Sequence, residues 1–537
     1  MEISTDKAEL AKASRDTSLF EVMPSEVAWP KDVNELAELV KSVGAERQRG
    51  AKVSITARAA GTDMSGGPLN TGTIVEFTKY MNRVLEVGAD YAVTEPGVYY
   101  RDFEKATLAR GLILPSYPAS RELCAMGGIV ANNSGGERTL EYGKTERYVE
   151  ELECVLADGS IAAFKALSPS ELQMKKVKND FEGQIYRAMD ALLAENAALI
   201  EARKPKVSKN SAGYYLWDIR TPEGGMNLAK LICGSQGTLA LWTKAKLGLV
   251  RPKPHRAMLV GFLEDLSALP EIVAKVLPFA PESFESYDDK TFTLAIKFLP
   301  QMLAQMGLAK AARLGVDFIP EALMVAEGGV PKLILMAEFA EETIAEADQK
   351  AQSAMEALAG LPIRLKIEKN EKESEKYWVV RRESFSLLRK NLHGLYAAPF
   401  IDDFVVPPAS YPQFLPELNA LLAQYEGKMI YTIAGHIGNG NFHIIPLMDL
   451  ASPATKQVVL ELAPKVYALV IKYGGTTTGE HNDGIIRTPY LPMLFGPEMM
   501  RLFEETKKTF DPGGIFNPGK KVGGSFADIG AKMLRAA

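Results

Sequence analysis

The sequence predicts an α+β fold spread over two or three domains, and three observations carry that expectation. The chain has 537 residues, too many for a single hydrophobic core. Between about Arg251 and Tyr473 two strand–helix–strand patterns recur, which suggests an antiparallel sheet with helices on one face. Before them, short strand-like runs feed loops of glycine, alanine, serine and asparagine, residues that let a backbone turn sharply or approach another group closely.

Taken in order, the first clear element is a helix opened by Pro30-Lys31-Asp32. Asp32 and Glu35 stand at capping-box spacing, Val33, Leu36, Ala37 and Val40 share one face, and the expected end is near Gly44. Val53 to Thr56 reads as a short strand running into Arg58-Ala59-Ala60-Gly61-Thr62-Asp63-Met64-Ser65-Gly66-Gly67. Successive main-chain N–H groups in such a turn can form an anion-binding nest that suits a diphosphate. The stretch is neither GxGxxG nor GxxxxGK[ST], so Rossmann and P-loop readings have no support, and taken alone it reads equally well as a plain turn.

A strand at Tyr91 to Thr94, the turn Glu95-Pro96-Gly97 and a helix over Tyr99 to Arg110 lead to a second group of loops. These are Pro115 to Ser120, Gly127 to Gly136, and Tyr142-Gly143; a third group, Gly234 to Leu239, precedes a strand ending near Val250. The first later unit is a strand at Met258 to Phe262, a helix around Ile272 to Leu277 and a strand at Ser283 to Tyr287. The second is Leu333 to Phe339, a helix over Glu342 to Leu358 closed by Gly360, and Arg364 to Glu368.

Three of the five histidines fall in two glycine-bounded stretches. Gly435 to His443 holds too many glycines for a helix and reads as a hairpin, with strands Met429 to Ala434 and Phe442 to Leu447 joined by a type I′ turn at Asn439-Gly440. That register sets His436 opposite His443, with Cβ atoms roughly 4.5–5.5 Å apart, close enough to share one metal ion. Gly479 to Gly484 offers Glu480 as a third ligand beside His481, with Asp483 open as an alternative. His255 and His393 read as ordinary core or surface residues.

Composition narrows the classes. Hydrophobic residues make up 47% and charged residues 24%, which is ordinary for a globular protein. Sixty-two basic against 67 acidic side chains give a net charge of -5 and no footprint for nucleic acid. The opening MEISTDKAELAKASRD lacks the apolar core of a secretory signal, and no apolar run reaches the ~18 residues of a spanning helix, so the expected location is the cytoplasm. Cys124, Cys154 and Cys233 are too few and too scattered for a disulfide framework or an iron–sulfur cluster, so any redox chemistry needs another electron carrier.

The loops AAGTDMSGG, GGIVANNSGG with YGKT, and GSQGTLALWT resemble, in order and spacing, the FAD-binding domain of the vanillyl-alcohol oxidase and p-cresol methylhydroxylase superfamily. The two histidine stretches look like the GHxGDGNxH and GEHGIG motifs of members that oxidise D-lactate, D-2-hydroxyglutarate and glycolate, and Asp511 to Lys520 is similar to their closing DPxxxxNPGK. The resemblance implies a two-subdomain FAD-binding domain of the p-cresol methylhydroxylase type over 1–250. A ferredoxin-like α+β substrate and metal cap over 251–475 and a C-terminal segment over 476–537 returning to the flavin complete it.

By that resemblance Ala59, Ala60, Gly61, Thr62, Asp63, Met64, Ser65, Gly66 and Gly67 would cradle the FAD diphosphate. Pro118, Ser120, Gly127, Gly128, Asn132 and Asn133 would line the rest of the flavin site, together with Gly135, Gly136, Tyr142, Gly143, Gly237 and Asn517. Members that attach FAD covalently often do so through a histidine in the first loop; this loop has none, so non-covalent FAD is expected. Trp378 to Glu383 resembles a W-x-x-R-E segment whose arginine holds the substrate carboxylate, which assigns that role to Arg381 with Arg382 still open, and Asp403 matches a structural aspartate. The implied chemistry is hydride transfer from a D-2-hydroxy acid to FAD. A divalent ion on His436, His443 and Glu480 would assist it, zinc being preferred over manganese or iron, and His481 would be the base.

The departures bear on the substrate. Asn439 replaces an aspartate and Asn482-Asp483 replace Gly-Ile, while Ile445 and Ile401 stand where some D-2-hydroxyglutarate enzymes carry asparagine and lysine. Losing both donors favours a monocarboxylate such as lactate or glycolate over a dicarboxylate. Reoxidation then requires an acceptor, a quinone, a cytochrome or an electron-transfer flavoprotein. Thr291 to Val330, rich in leucine, alanine and methionine, reads as packing against the cap, with a peripheral membrane or acceptor contact as the alternative. A non-haem iron oxygenase would leave the flavin-type loops without purpose, and a non-catalytic flavin module would leave the histidines so.

Overall fold

The computed structural model describes residues 1–293, 329–391, 394–450 and 452–534; side chains of 383–391 are outside the description. Thr291 to Val330 and His393 therefore lie largely or wholly outside the described residues. The chain divides into two compact units, the first formed by 1–136, 143–252 and 476–537, the second by 137–142 and 253–475.

The first unit contains two sheets. A small one runs Glu2–Ser4, Glu26–Trp29, Thr73–Glu76, Ile55–Arg58, its last three strands parallel. Helix Val33–Gln48 connects two of these strands, and the Asp32 carboxylate accepts from the N–H groups of Asn34 and Glu35. Leu36, Ala37, Val40 and Val43 bury against Ala28, Ile55, Val75 and Phe516. The helix passes through Gly44, where the sequence suggested an end. A mid-helix glycine costs only about 1 kcal/mol, and the stop comes at Gly50, whose φ of 94° no helix accepts.

The larger sheet is antiparallel, in the order Val84–Val87, Tyr91–Thr94, Leu241–Gly248, Val149–Val155, Ile161–Leu167, Met226–Asn227. Helices Phe181–Glu195 and Leu491–Phe510 contribute Ile185, Met189, Leu502 and Phe503 to its core. The late stretch also reaches the small sheet, where Ile55 N–H donates to Ile515 and Asn517 N–H donates to Ile55, at 2.7 and 2.8 Å.

The second unit is built on seven antiparallel strands. Its first four, His255–Leu263, Ser283–Asp288, Leu333–Glu341 and Ile363–Glu368, lie in the spatial order fourth, first, third, second. That is the split βαβ arrangement, with helices Leu269–Val276 and Ile344–Ala357 as its crossovers. Two features differ from expectation. Helices cover both faces, because Tyr377, Trp378 and Val380 of Glu371–Asn391 pack on Met258, Val260, Phe262, Ile334 and Met336, while the alternate residues Leu259, Leu335, Ala337 and Phe339 are buried too. And the sheet continues past Ser283–Asp288 through Ile433–His436, Asn441–Ile444 and Phe404–Val405. The histidine hairpin is thus an extension of the cap's own sheet.

Candidate functional site

In the first unit, loops far apart in sequence meet around one carboxylate. Asp63 Oδ2 accepts from Ser65 N–H at 3.0 Å, Ser65 Oγ–H at 2.7 Å and Gly67 N–H at 2.7 Å, and Asn132 Nδ2 donates to Oδ1 at 2.8 Å. Gln236 Nε2 donates to Ser65 Oγ and to Asn132 Oδ1, both at 3.2 Å. Asn517 Nδ2 donates to the carbonyls of Gly67 and Gln236 at 3.0 and 2.8 Å. Two of the N–H groups expected to serve a diphosphate are therefore spent on Asp63, so the nest is narrower than the sequence suggested. Burial, with the Asp63 charge behind it, pushes the neighbouring Asp16 carboxyl up to about 7.

The remaining loop residues divide by environment. Ala59, Ala60, Gly61, Thr62 and Met64 are half-buried, whereas Ser65 and Gly66 are buried. Met126–Asn132 is a short helix whose Gly127 lies so close to the first loop that a Cβ would sit 2.9 Å from Ala59 Cβ. A Cβ on Gly128, next in line, would meet nothing within 4 Å. Space at Gly128 beside small, polar loop residues fits a flavin nucleotide. Asn133 closes the helix at φ 51°, its Oδ1 accepting from Glu146 N–H at 2.9 Å. Pro118 and Ser120 form a half-buried turn, and Gly135, Gly136, Gly143 and Gly237 are buried. Tyr142 falls in the second unit, where burial and then Glu282 raise its hydroxyl well above the usual range.

The Glu480 stretch is fixed from below by the same loops. Asn482, at φ 69°, donates to the carbonyls of Asn132 and Gly234, and Gly484 N–H donates to Gln236. Glu480 pairs with Lys209 at 3.0 Å, both side chains almost wholly buried, and Glu480 Oε1 lies 3.7 Å from His481 Nε2. Asp483 accepts from Gly213 N–H and pairs at 3.0 Å with the fully buried Lys521. Asp483 and Glu480 are thus each paired with a buried lysine. Lys209 gave no sequence signal, because a lysine 271 positions away carries no local mark of its partner.

In the second unit the hairpin forms, but its register differs from the expected one. Ile437–Asn439 makes a turn of 3-10 helix, Gly440 follows at φ 73°, and His436 pairs with Asn441 while His443 pairs with Ala434. The histidines are diagonal neighbours on one face, their ring centroids 5.2 Å apart. The reason is tertiary. A Cβ at Gly440 would lie 1.8 Å from the Val406 carbonyl oxygen, so the adjoining strand, and not a two-residue turn, dictates the glycine.

Each histidine carries a carboxylate on Nδ1. His436 Nδ1 is 2.5 Å from Glu285 Oε1, and His443 Nδ1 is 3.1 Å from Asp402 Oδ1. A histidine held this way presents Nε2 to a metal, and the partner fixes ring and tautomer. The donor set therefore fits a divalent ion of the zinc type. Asp403, at φ 67°, accepts from Asn441 at 3.0 Å and has a carboxylate oxygen within 4.8 Å of a ring nitrogen of His443.

The neighbouring arginines are distinguished by their partners. Arg381 Nη2 lies 3.3 Å from Glu285 Oε2, on the carboxylate that holds His436. Arg382 is committed elsewhere, forming a two-point pair with Glu137 at 2.6 and 3.2 Å and lying over the Trp378 ring at 4.7 Å. Beneath them Glu282, fully buried, faces Arg256 at 3.3 Å and Arg138 at 3.5 Å. Burial and then Glu282 push Glu338 up to about 7, outweighing Arg256 at 3.4 Å. Sequence reading missed Glu285, Asp402 and Glu282.

Comparison with known proteins agrees with this picture. Residues 251–521, just over half the chain, match the model of the FAD linked oxidases, C-terminal domain, and residues 24–165 match the FAD binding domain. A D-2-hydroxyglutarate dehydrogenase of Pseudomonas putida is 27% identical over 97% of this chain, which spans about half (50%) of that relative's length. The glycolate oxidase subunit GlcD of Bacillus subtilis is 26% identical over 94% of this chain and 90% of its own. For the D-lactate dehydrogenase of Archaeoglobus fulgidus the figures are 27%, 92% and 91%. Among solved structures, p-cresol methylhydroxylase superposes with a TM-score of 0.67 at 15% identity, covering 98% of this chain and 94% of the other. The 4-ethylphenol oxidase from Gulosibacter chungangensis gives 0.68 at 17%, covering 98% and 95%. These likenesses establish the p-cresol methylhydroxylase type of FAD-binding fold. Among the described residues no helix is long and apolar enough to cross a membrane.

Proposed function

Because the chain belongs to the FAD-linked oxidase family, we propose that it oxidises a small D-2-hydroxy acid of the lactate or glycolate kind to the 2-oxo acid. Non-covalent FAD would supply the hydride acceptor, and a divalent ion, zinc in preference to manganese or iron, a Lewis acid for the substrate hydroxyl. Arg381 anchors the substrate carboxylate through paired hydrogen bonds, and His481 takes the hydroxyl proton. His436 and His443 provide two metal ligands, and motif resemblance makes Glu480 the third, with Lys209 as its buried counter-charge. A quinone, a cytochrome or an electron-transfer flavoprotein reoxidises the protein, which works in the cytoplasm or at a membrane surface.

The observation that carries the reading is the Glu285 carboxylate, which holds a hairpin histidine on one oxygen and the candidate carboxylate anchor on the other. Ile401, fully buried, and Ile445, half-buried, supply no donor for a second carboxylate, which supports a monocarboxylate. The names of the Pseudomonas putida and Escherichia coli relatives favour D-2-hydroxyglutarate as a second reading. Anaerobic flavin bleaching against a panel of D- and L-hydroxy acids decides between them. Rapid bleaching by D-lactate or glycolate but not D-2-hydroxyglutarate is expected, and bleaching by no hydroxy acid would sink the proposal. Denaturation should also release FAD into the supernatant.

A further inference from the structure

We propose that Glu285 is a shared positioning residue, one carboxylate that sets both the metal-binding ring of His436 and the substrate-binding guanidinium of Arg381. The inference rests on the function proposed above and adds a coupling that neither motif contains.

Glu285 lies on strand Ser283–Asp288, which is paired on both sides, opposite Met336 on one neighbour and beside the Ser286–Gly435 pair on the other. It is 1% exposed, so its position follows from the sheet and not from solvent. Both oxygens are engaged, Oε1 with His436 Nδ1 at 2.5 Å and Oε2 with Arg381 Nη2 at 3.3 Å. A carboxylate accepts and does not donate, so the shared hydrogen belongs to His436 Nδ1, and Nε2 is the ring's ligating atom. On the other side, Arg381 Nε is buried without an acceptor among the described residues. Such a donor costs about 1–3 kcal/mol unless a ligand satisfies it, and a substrate carboxylate reaching Arg381 would do so.

The two neighbouring carboxylates sharpen the assignment. Asp402 lies 3.1 Å from His443 Nδ1, and Glu137 lies 2.6 Å from Arg382. Loss of the Glu285 charge should therefore disturb metal binding and carboxylate binding together.

The test uses the whole FAD-loaded protein, stripped of metal and re-titrated with Zn²⁺ against a chromophoric chelator. Glu285→Gln and Asp402→Asn should each weaken Zn²⁺ binding about 10–100-fold. At saturating Zn²⁺, with the hydroxy acid that bleaches the wild-type flavin and a dye acceptor, Glu285→Gln should raise KM about tenfold. In an Arg381→Lys background Glu285→Gln should add no further rise, because its route to the substrate is already cut. Wild-type Zn²⁺ affinity in Glu285→Gln, an unmoved KM, or an equal KM effect in both backgrounds would overturn the proposal. Histidine ring ¹⁵N spectra of the Zn²⁺-loaded wild type provide a check independent of folding, with His436 protonated on Nδ1 expected and protonation on Nε2 contradicting it. A wild type that neither binds Zn²⁺ nor is bleached by any hydroxy acid fails at the level of the function itself and removes both claims.

Discussion

The Asp63 loop and the His436–His443 hairpin are both organised by buried or half-buried carboxylates, and they use them differently. Asp63 collects neutral donors, three from its own loop and one from Asn132, and the rest of the cluster is joined through neutral side chains and backbone carbonyls. Around the hairpin Glu285, Asp402 and Glu282 each face an imidazole or a guanidinium. Geometry in the loop is stored in backbone conformation, with Asn133, Gln236, Asn482 and Asn517 all at positive φ. In the hairpin it is stored in charge. Losing one neutral bond leaves the loop's others in place, whereas removing one charge strands another in low dielectric.

The largest effect should come from His481, which belongs to neither class. His481→Gln should keep FAD and metal bound and slow flavin reduction by roughly 10²–10⁴-fold, measured by stopped flow, with added Zn²⁺ giving no rescue. His436→Ala and His443→Ala should instead lose metal and activity together. Undiminished flavin reduction in metal-free protein would make the hairpin purely structural. Next, Glu282→Ala should destabilise the second unit by about 3–5 kcal/mol in denaturant titrations, by removing the fully buried charge that faces both Arg138 and Arg256. A loss below about 1 kcal/mol would erase the contrast drawn here.

The same network predicts a pH dependence. Glu338 binds its proton more tightly folded, at about 7, than unfolded, at 4.5. The stabilisation it brings is thus full below pH 4.5 and lost as pH rises through 7. Glu338→Gln should remove that decline, on the order of 3 kcal/mol between the two limits, and an unaltered slope would place the proton elsewhere. Arg381→Lys should then cost about 2–4 kcal/mol of transition-state stabilisation in kcat/KM, since an ammonium cannot reproduce the planar fork. Arg382→Lys is its control, and a full effect there with none at Arg381 would reverse the assignment. The smallest effect belongs to the loop: Gly128→Ala should change apo-protein stability by less than about 1 kcal/mol, because the added Cβ meets open space. FAD retention should fall all the same if the nucleotide fills that space.

Much of this was legible in the sequence where the cause is local. The glycine loops, the Asp32 cap and the two strand–helix–strand units follow from turn chemistry and periodicity acting over a few residues. The hairpin's existence was equally plain, but its register was set by Val406, over 30 positions away, and no turn rule contains that contact. Glu285 and Asp402 escaped for the same reason, since their partners lie 151 and 41 residues distant. One signal was available. Acids inside apolar strand runs, as in Ser283-Phe284-Glu285-Ser286-Tyr287 and Leu333 to Glu338, mark charges that must be buried and therefore matched.

Asn517 closes the Asp63 cluster from 450 residues beyond Gly67, and the whole second unit is encoded between them. Chains emerge from the ribosome at roughly 5–20 residues per second, so the loop would wait about 20–90 s for its last strap. During that interval the cap can complete its own sheet, while the nucleotide pocket stays open on one side with the carbonyls of Gly67 and Gln236 exposed to solvent or to chaperones. Flavin capture is on this account a late event of biosynthesis, and scarcity of FAD would be felt by a chain whose second unit is already made.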